Sequence, residues 1–160
     1  MNIEIFEKIT KNAQKDKNRI LLHYIHVKNR VAIATDYKRA IMEECNLDDG
    51  VYYISKNGNN YELIRNILGE LDNDFYERVR NIFQKKVGVK MHVYTKSELR
   101  NVKKIKKSLL EIFLFELHSN GIKVDIDYLS DLINDKKSMW SFGFDNNFIF
   151  IDNAILVSLR

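Results

Sequence analysis

Proline is absent from this 160-residue chain, cysteine occurs once, and only six glycines are present. A single thiol excludes an internal disulfide and any zinc site built from several thiolates, so we expect a reducing, cytoplasmic setting. Six scattered glycines do not supply a glycine-rich phosphate loop, and we find no cofactor motif. No apolar run reaches the roughly 18–20 residues of a membrane span. The N-terminus shows no basic region followed by an apolar core, so we expect no signal peptide.

Charge and composition permit a nucleic-acid partner without requiring one. The chain holds 26 basic and 22 acidic side chains, a net charge of +4, and 45% of its residues are hydrophobic. That hydrophobic fraction is sufficient for a packed core. Because the basic excess is small, the position of the charges matters more than their sum. The lack of proline, with much Asn, Lys and Ile, is typical of an AT-rich coding genome, such as that of a low-GC bacterium or its phage.

The first half of the chain predicts a strand, a helix and a series of further strands. Apolar residues at i, i+3 and i+7 predict a helix over residues 6–17, after a short strand at residues 3–5. Runs rich in β-branched residues predict a meander over residues 20–27, 30–35 and 37–42, followed by a hairpin of residues 51–55 and 61–65. We expect Lys28 and Asn29 to form the first tight reversal.

The second half predicts a similar order. Between the halves, Asp72, Asn73 and Asp74 can cap a helix over residues 75–86, and residues 89–95 of the second half alternate like a strand. Thr95 and Glu98 have capping-box spacing, which predicts a helix over about residues 97–119 whose later, largely apolar half is buried. One helical turn is expected at residues 128–133. Further strands are expected at residues 122–126, 139–144, 148–151 and 154–159.

These elements predict an α+β fold. We expect two β-α-β-β-β-type halves, approximately residues 1–65 and 89–160, joined by the segment 66–88. No proline- or serine-rich linker separates the halves, so they should form one domain with helices on one side of an antiparallel sheet.

Two of the predicted helices carry cationic side chains opposite their apolar stripe. These are Lys8, Lys11 and Lys15 on the helix predicted over residues 6–17, and Arg100, Lys103, Lys104 and Lys107 on the helix predicted over residues 97–119. Such a row is either a solvated face or a set of cations placed to meet phosphates. In the second helix, neighbouring like charges repel by about a few tenths of a kcal/mol per pair, which favours the phosphate interpretation there.

No combination of residues predicts catalysis or metal binding. The aspartates at 125, 127, 131 and 135 lack the glycine and glutamate of an EF-hand loop, so they are expected to cap helices and form solvated turns. His23 and His26 lie three apart on a predicted strand and therefore on opposite faces. The thiol of Cys45 has no histidine near it in sequence. We therefore predict that the chain is not an enzyme and holds no metal or cofactor.

Three stretches, in the right order, carry a resemblance to a known family. Residues 31–39 (VAIATDYKR) contain Thr-Asp-x-x-Arg, residues 72–79 read DNDFYERV, and residues 126–132 contain Tyr-Leu-x-Asp-Leu before the final ILVSLR. These stretches resemble the "vaTDg.R", "yPdYerv" and "vkYLlDal…vMPmR" motifs of the bacterial DNA sliding clamp, the beta subunit of the replicative polymerase, and its small phage relatives. The family's prolines are missing here, and Tyr37 stands where the family usually has glycine.

The resemblance implies a DNA-associated function. Clamps are built from paired β-α-β-β-β units whose helices face the DNA and contact its backbone without reading bases. We therefore expect a non-enzymatic, clamp-like replication accessory protein, phage-encoded, whose two cationic helix faces contact duplex DNA. The chain holds about one clamp domain, so a ring would require several copies.

The alternative is a protein–protein interaction module of phage or mobile-element origin. Its partner would be a host replication or defence protein, bound by strand addition at an exposed sheet edge. In that case the cationic faces either keep the protein soluble or meet an acidic partner.

Overall fold

The computed structural model describes residues 1–99 and 102–159, and of Val102 only the backbone. Helices and antiparallel strands both contribute substantially, so the predicted α+β class is confirmed. The chain divides into two compact units, Met1–Lys85 and Lys86–Arg160. The segment 66–88, predicted to connect two halves, holds a helix that belongs to the first unit.

The first unit combines two helices with an antiparallel sheet. Its elements are α1 (Ile3–Ala13), β1 (Ile25–Lys28), β2 (Val31–Thr35), β3 (Arg39–Glu44), β4 (Gly50–Asn57), β5 (Asn60–Arg65) and α2 (Asn73–Ile82). The strands pair in the order β5-β4-β1-β2-β3. Of the three predicted cap residues, Asp72 caps α2, and its carboxylate accepts a hydrogen bond from the backbone N–H of Phe75 at 2.9 Å. This cap starts α2 so that Phe75, Tyr76 and Val79 are buried.

One hydrophobic cluster joins the helices of the first unit to its sheet. The cluster is formed by Ala13, Leu22, Ile33, Ala40, Phe75, Tyr76 and Val79. Phe75 and Val79 are four residues apart, so they lie on one face of α2. The hydroxyl of Tyr76 donates to the carbonyl oxygen of Val31 at 2.8 Å, which satisfies its polar end beside the apolar cluster.

The second unit contains four antiparallel strands and a hydrophobic core around α3. Its elements are β6 (His92–Thr95), α3 (Ile105–Ser119), α4 (Ile126–Asp131), β7 (Met139–Phe144), β8 (Phe148–Ile151) and β9 (Ala154–Val157), with strand order β9-β8-β7-β6. Leu109, Phe113 and Leu117 form the buried stripe of α3. The rings of Phe113 and Phe142 stack with centroids 4.2 Å apart and 7° between their planes. Aromatic stacking therefore attaches α3 to β7.

Helix α1 begins and ends earlier than the sequence predicted. Residues 3–5, predicted as a strand, form its first turn, because the Asn2 side chain accepts a hydrogen bond from the backbone N–H of Ile5 at 3.4 Å. The helix ends at Ala13 instead of continuing to residue 17, since residues 14–18 offer no apolar side chain to bury. The predicted strand–helix start of the first half is therefore wrong.

The first predicted strand is also shorter than expected. Its initial part, Ile20–His23, is a 3-10 turn, and pairing begins only at Ile25. The tight reversal lies at Asn29 and Arg30 instead of at Lys28 and Asn29. Both have left-handed backbone conformations, with φ of 51° and 61°, as a type I′ hairpin turn requires.

Two predictions fail in the second unit for reasons of capping. Residues 122–126 do not form a strand, because only an isolated bridge pairs Lys123 with Leu159 and Asp125 already caps α4. The helix predicted from residue 97 becomes α-helical only at Ile105, after 3-10 turns at Lys96–Glu98 and Val102–Lys104. The side chains of the predicted capping box bond to each other, at 2.9 Å, and make no cap hydrogen bond to the backbone.

The later half of α3 is not buried on all sides. Phe115 keeps 74% of its surface in solvent, whereas Phe113, two residues earlier, is fully buried. Ile112 and Leu114 are half-buried. Part of the apolar surface of α3 is therefore exposed to solvent.

Candidate nucleic-acid interface

The outward face of α1 has no net formal charge. Lys8 and Lys11 are exposed, as predicted, but at 100° per residue Glu4 and Glu7 project from the same side of the helix. Lys15 lies beyond the end of α1, so it does not continue the row. Glu4 in the first turn and Lys11 in the last both complement the helix dipole, which gives this pattern a role in helix stability.

The start of α3, in contrast, carries a net positive charge. Lysines occupy positions 103, 104, 106 and 107, and no acidic residue lies in the first turn. Lys103, Lys104 and Lys107 are exposed. Arg100, predicted to belong to the same cluster, lies outside the described residues. We call Lys103, Lys104, Lys106 and Lys107 the α3 lysine cluster.

The α3 lysine cluster is placed unfavourably for helix stability. Lys104 is the N-cap residue and makes no side-chain cap hydrogen bond. The N-terminal end of a helix carries partial positive charge, so a cation there costs about 0.3–1 kcal/mol where an acidic residue would gain that amount. An anion bound at this end would interact favourably with both the helix dipole and the ammonium groups.

A second cationic feature lies in the first unit, in the turn of residues 36–38 between β2 and β3. We call it the Tyr37 turn. Tyr37 has a left-handed backbone conformation, with φ of 68°, and 57% of its surface is exposed. The guanidinium carbon of Arg19 lies 4.3 Å from the centroid of the Tyr37 ring, in cation–π contact. From the sequence, Tyr37 stands out only because it replaces the glycine of the clamp motif, and this replacement is the signal for the contact.

A buried ion pair holds the Tyr37 turn. The Asp36 carboxylate accepts hydrogen bonds from the backbone N–H groups of Lys38 at 3.0 Å and Arg39 at 2.7 Å. Its second oxygen lies 2.9 Å from Nη2 of Arg39 and accepts a hydrogen bond from Asn12 of α1 at 3.0 Å. The side chains of Arg39 and Asp36 are 1% and 0% exposed. The Thr-Asp-x-x-Arg motif therefore fixes this turn and ties it to α1.

Two adjacent aliphatic side chains protrude after β5. Ile67 and Leu68 are 91% and 95% exposed. Their turn is closed by a hydrogen bond from the backbone N–H of Gly69 to the Asn66 carbonyl oxygen at 3.1 Å. The backbone N–H of Asn66 donates in turn to the Val51 carbonyl oxygen at 2.7 Å, which anchors the turn to β4. Single exposed aliphatic residues are ordinary, but two together on an anchored turn form a small contact surface.

Two buried titratable side chains, His26 and Tyr94, have shifted pKa values. His26 is buried against the Phe75 ring, and its Nε2 lies 2.6 Å from the Leu21 carbonyl oxygen. Burial lowers the pKa of His26, because a charged imidazole would lose its hydration. Tyr94 donates a hydrogen bond to Glu116, and burial raises the pKa of Tyr94. Within the described ranges, no three His, Cys, Asp or Glu side chains are grouped to hold a metal ion.

None of the helices in the described part of the chain has the length and apolarity needed to cross a bilayer. Comparison with family models, curated proteins and solved structures finds no match to this chain. The likeness to sliding clamps therefore stays a sequence-based prediction.

Proposed function

We propose that this chain is a non-enzymatic, cytoplasmic, DNA-associated protein that contacts the backbone of duplex DNA through its second unit. The observation that supports the proposal is the α3 lysine cluster, in which exposed lysines occupy an uncapped helix start that contains no acidic residue. A phage-encoded replication accessory role, as the clamp resemblance implies, is part of the same proposal.

An extended polyanion fits the α3 lysine cluster better than a small anion does. Lys103, Lys104 and Lys107 are exposed, and their long flexible stems suit phosphates that are repeated along a backbone. Backbone contacts of this kind carry no sequence information, so binding should be indifferent to sequence. Glu4 and Glu7 offset the α1 lysines, so the proposed duplex contact is at the α3 lysine cluster.

Duplex binding is expected to be weak and steeply salt dependent. If each lysine of the α3 cluster neutralises one phosphate, affinity should fall about a hundredfold between about 50 and 200 mM salt. Changing Lys103, Lys104 and Lys107 to glutamate should abolish binding without lowering the melting temperature, since acidic residues at a helix start are favourable. Fluorescence anisotropy of a labelled duplex, with thermal unfolding in parallel, measures both.

The matched control changes the net charge equally at exposed positions elsewhere. Lys85, Lys90 and Lys123 are exposed, and their triple glutamate variant should keep most of the affinity. A Lys8→Glu, Lys11→Glu variant measures the share of α1. Equal losses in the α3 variant and the control would assign binding to net charge alone, and no binding by the unmodified chain at low salt would end the proposal.

A second candidate function, contact with a protein partner, is favoured by the Ile67–Leu68 pair. Burying each of these side chains in a partner's pocket would gain about 1.5–3 kcal/mol. Because the turn is already held by Asn66 and Gly69, little conformational freedom would be lost on binding. The partner would be a host replication or defence protein.

Replacing both Ile67 and Leu68 with serine is expected to reduce partner recovery at least tenfold without lowering stability. The measurement is affinity capture from a nuclease-treated host lysate, quantified against the unmodified chain. The control is Val87→Ser, which alters another exposed aliphatic residue. Equal recovery by the double variant, or loss of all captured protein after nuclease treatment, would count against a protein partner.

A further inference from the structure

We propose that the Tyr37 turn binds an unpaired base of single-stranded nucleic acid, with the Tyr37 ring as a stacking platform and the neighbouring cations on the adjacent phosphates. This inference rests on the proposed association with DNA, but it concerns a different surface and a different form of the ligand. It is carried by three features of the turn: its backbone conformation, its rigidity and its surrounding charge.

The backbone conformation of Tyr37 is costly for this residue type. At a φ of 68°, a bulky side chain is crowded by its own backbone, whereas glycine or asparagine adopts that conformation readily. The turn would therefore be more stable with either of those residues. Tyr37 also contributes little to the core, since more than half of its surface is in solvent. The presence of tyrosine at position 37 is thus explained better by a ligand that contacts its exposed ring than by a contribution to folding.

The turn is rigid enough to display the ring. The Asp36 carboxylate fixes the backbone of the two residues after Tyr37, and the hydroxyl of Thr35 accepts a hydrogen bond from the Tyr37 N–H at 3.2 Å. The buried pair with Arg39 holds that carboxylate in place. A ring held in this way loses little conformational entropy when a flat ligand stacks on it.

The charge around the ring selects a phosphate-bearing ligand. Arg19 covers part of the ring, and Lys15, Lys17 and Lys38 are exposed on the same loop or turn. Asp16 offsets one of these charges through its contact with Arg19 at 3.3 Å. Cationic ligands would be repelled, whereas a nucleotide offers a π-face to the ring and an anion to its surroundings. Because every base has a π-face, this recognition tolerates any sequence.

The test compares single-stranded and duplex DNA in three forms of the full chain. The probes are a labelled oligothymidylate and a labelled duplex, followed by fluorescence anisotropy at low salt. Tyr37→Asn removes the ring and suits the left-handed backbone, so it should lower oligothymidylate affinity about tenfold while the melting temperature stays the same or rises. Tyr37→Phe keeps the ring and should retain affinity to within about twofold. Duplex affinity should not change in either variant.

The outcomes separate this inference from the proposed function. Unchanged oligothymidylate affinity in Tyr37→Asn, or an equal loss in Tyr37→Phe, would overturn the stacking site. Duplex binding without oligothymidylate binding would overturn it as well, and the α3 contact would stand. Oligothymidylate binding that depends on the ring, with no duplex binding, would support the stacking site and overturn the proposed α3 contact.

Discussion

Replacing Asp36 with asparagine is expected to lower the free energy of unfolding by about 3–5 kcal/mol, because it removes the carboxylate charge from a buried ion pair with Arg39. The side chains of Arg39 and Asp36 are 1% and 0% exposed, so water cannot replace the lost partner. Asparagine has nearly the shape of aspartate and can still accept the turn's backbone hydrogen bonds. Its amide nitrogen, however, would face the Arg39 and Asn12 donors that the second Asp36 oxygen accepts, so the expected loss combines charge and hydrogen bonding. Urea denaturation followed by circular dichroism measures it.

The double variant Asp36→Asn, Arg39→Met tests the physical reason. It removes both charges and keeps an acceptor for the backbone N–H groups of the turn. A buried ion pair often gains little over an apolar replacement, whereas half of a pair is strongly destabilising. The double variant should therefore be more stable than Asp36→Asn alone. If the double variant loses as much stability as Asp36→Asn and Arg39→Met lose together, the pair stabilises the turn through its hydrogen bonds. Neutralisation of the two charges is then not the reason.

Elements with strong local signals were predictable from the sequence. The helix α2 is set by Asp72 at its cap and by Phe75 and Val79 on one face. The strands β7 and β8 correspond to predicted segments, and an Asx-type contact of Asp145 with the Phe148 N–H marks their reversal. Such features depend on residues within a few positions of one another, so no tertiary information is needed to find them.

Other elements form against the strand propensity of their residues. The β-branched residues at 3–5 have strand propensity, but Asn2 and the apolar spacing that continues to Ala13 place them in α1. Residues 20–23 (ILLH), also predicted as part of a strand, form a 3-10 turn. A propensity for strand has no effect where no neighbouring strand offers hydrogen bonds.

The candidate surfaces were also predictable from the sequence only in part. The lysines at the start of α3 were found from their spacing, but their unfavourable relation to the helix dipole required knowing that α-helix begins at Ile105. Arg19 and Tyr37 lie far apart in sequence. The hydrogen bond between Asn12 and Asp36 ties α1 to the Tyr37 turn, and the loop after α1 then carries Arg19 to the ring. No periodic pattern in the sequence encodes this contact.

Replacing Gly143 with alanine is expected to lower the free energy of unfolding by about 1–3 kcal/mol, because the added methyl group has no space. A Cβ atom at this position would lie 2.5 Å from Sδ of Met91 and 2.8 Å from the Lys90 carbonyl oxygen. The Met91 side chain can move, but the Lys90 carbonyl belongs to the backbone that leads into β6. The segment before β6 would therefore have to shift. Trp140, buried on β7 and the one tryptophan of the chain, reports unfolding of the second unit by fluorescence.

The double variant Gly143→Ala, Met91→Ala identifies which contact is responsible. Shortening Met91 removes the sulfur from the crowded space and leaves the Lys90 carbonyl oxygen where it is. If backbone crowding dominates, the double variant should remain at least as unstable as Gly143→Ala. Recovery of stability in the double variant would instead assign the cost to the sulfur contact. If the double variant stays as unstable as Gly143→Ala, Gly143 is required for the close approach of two backbone segments. The adjacent residues Phe142 and Phe144 in β7 do not reveal this requirement from sequence.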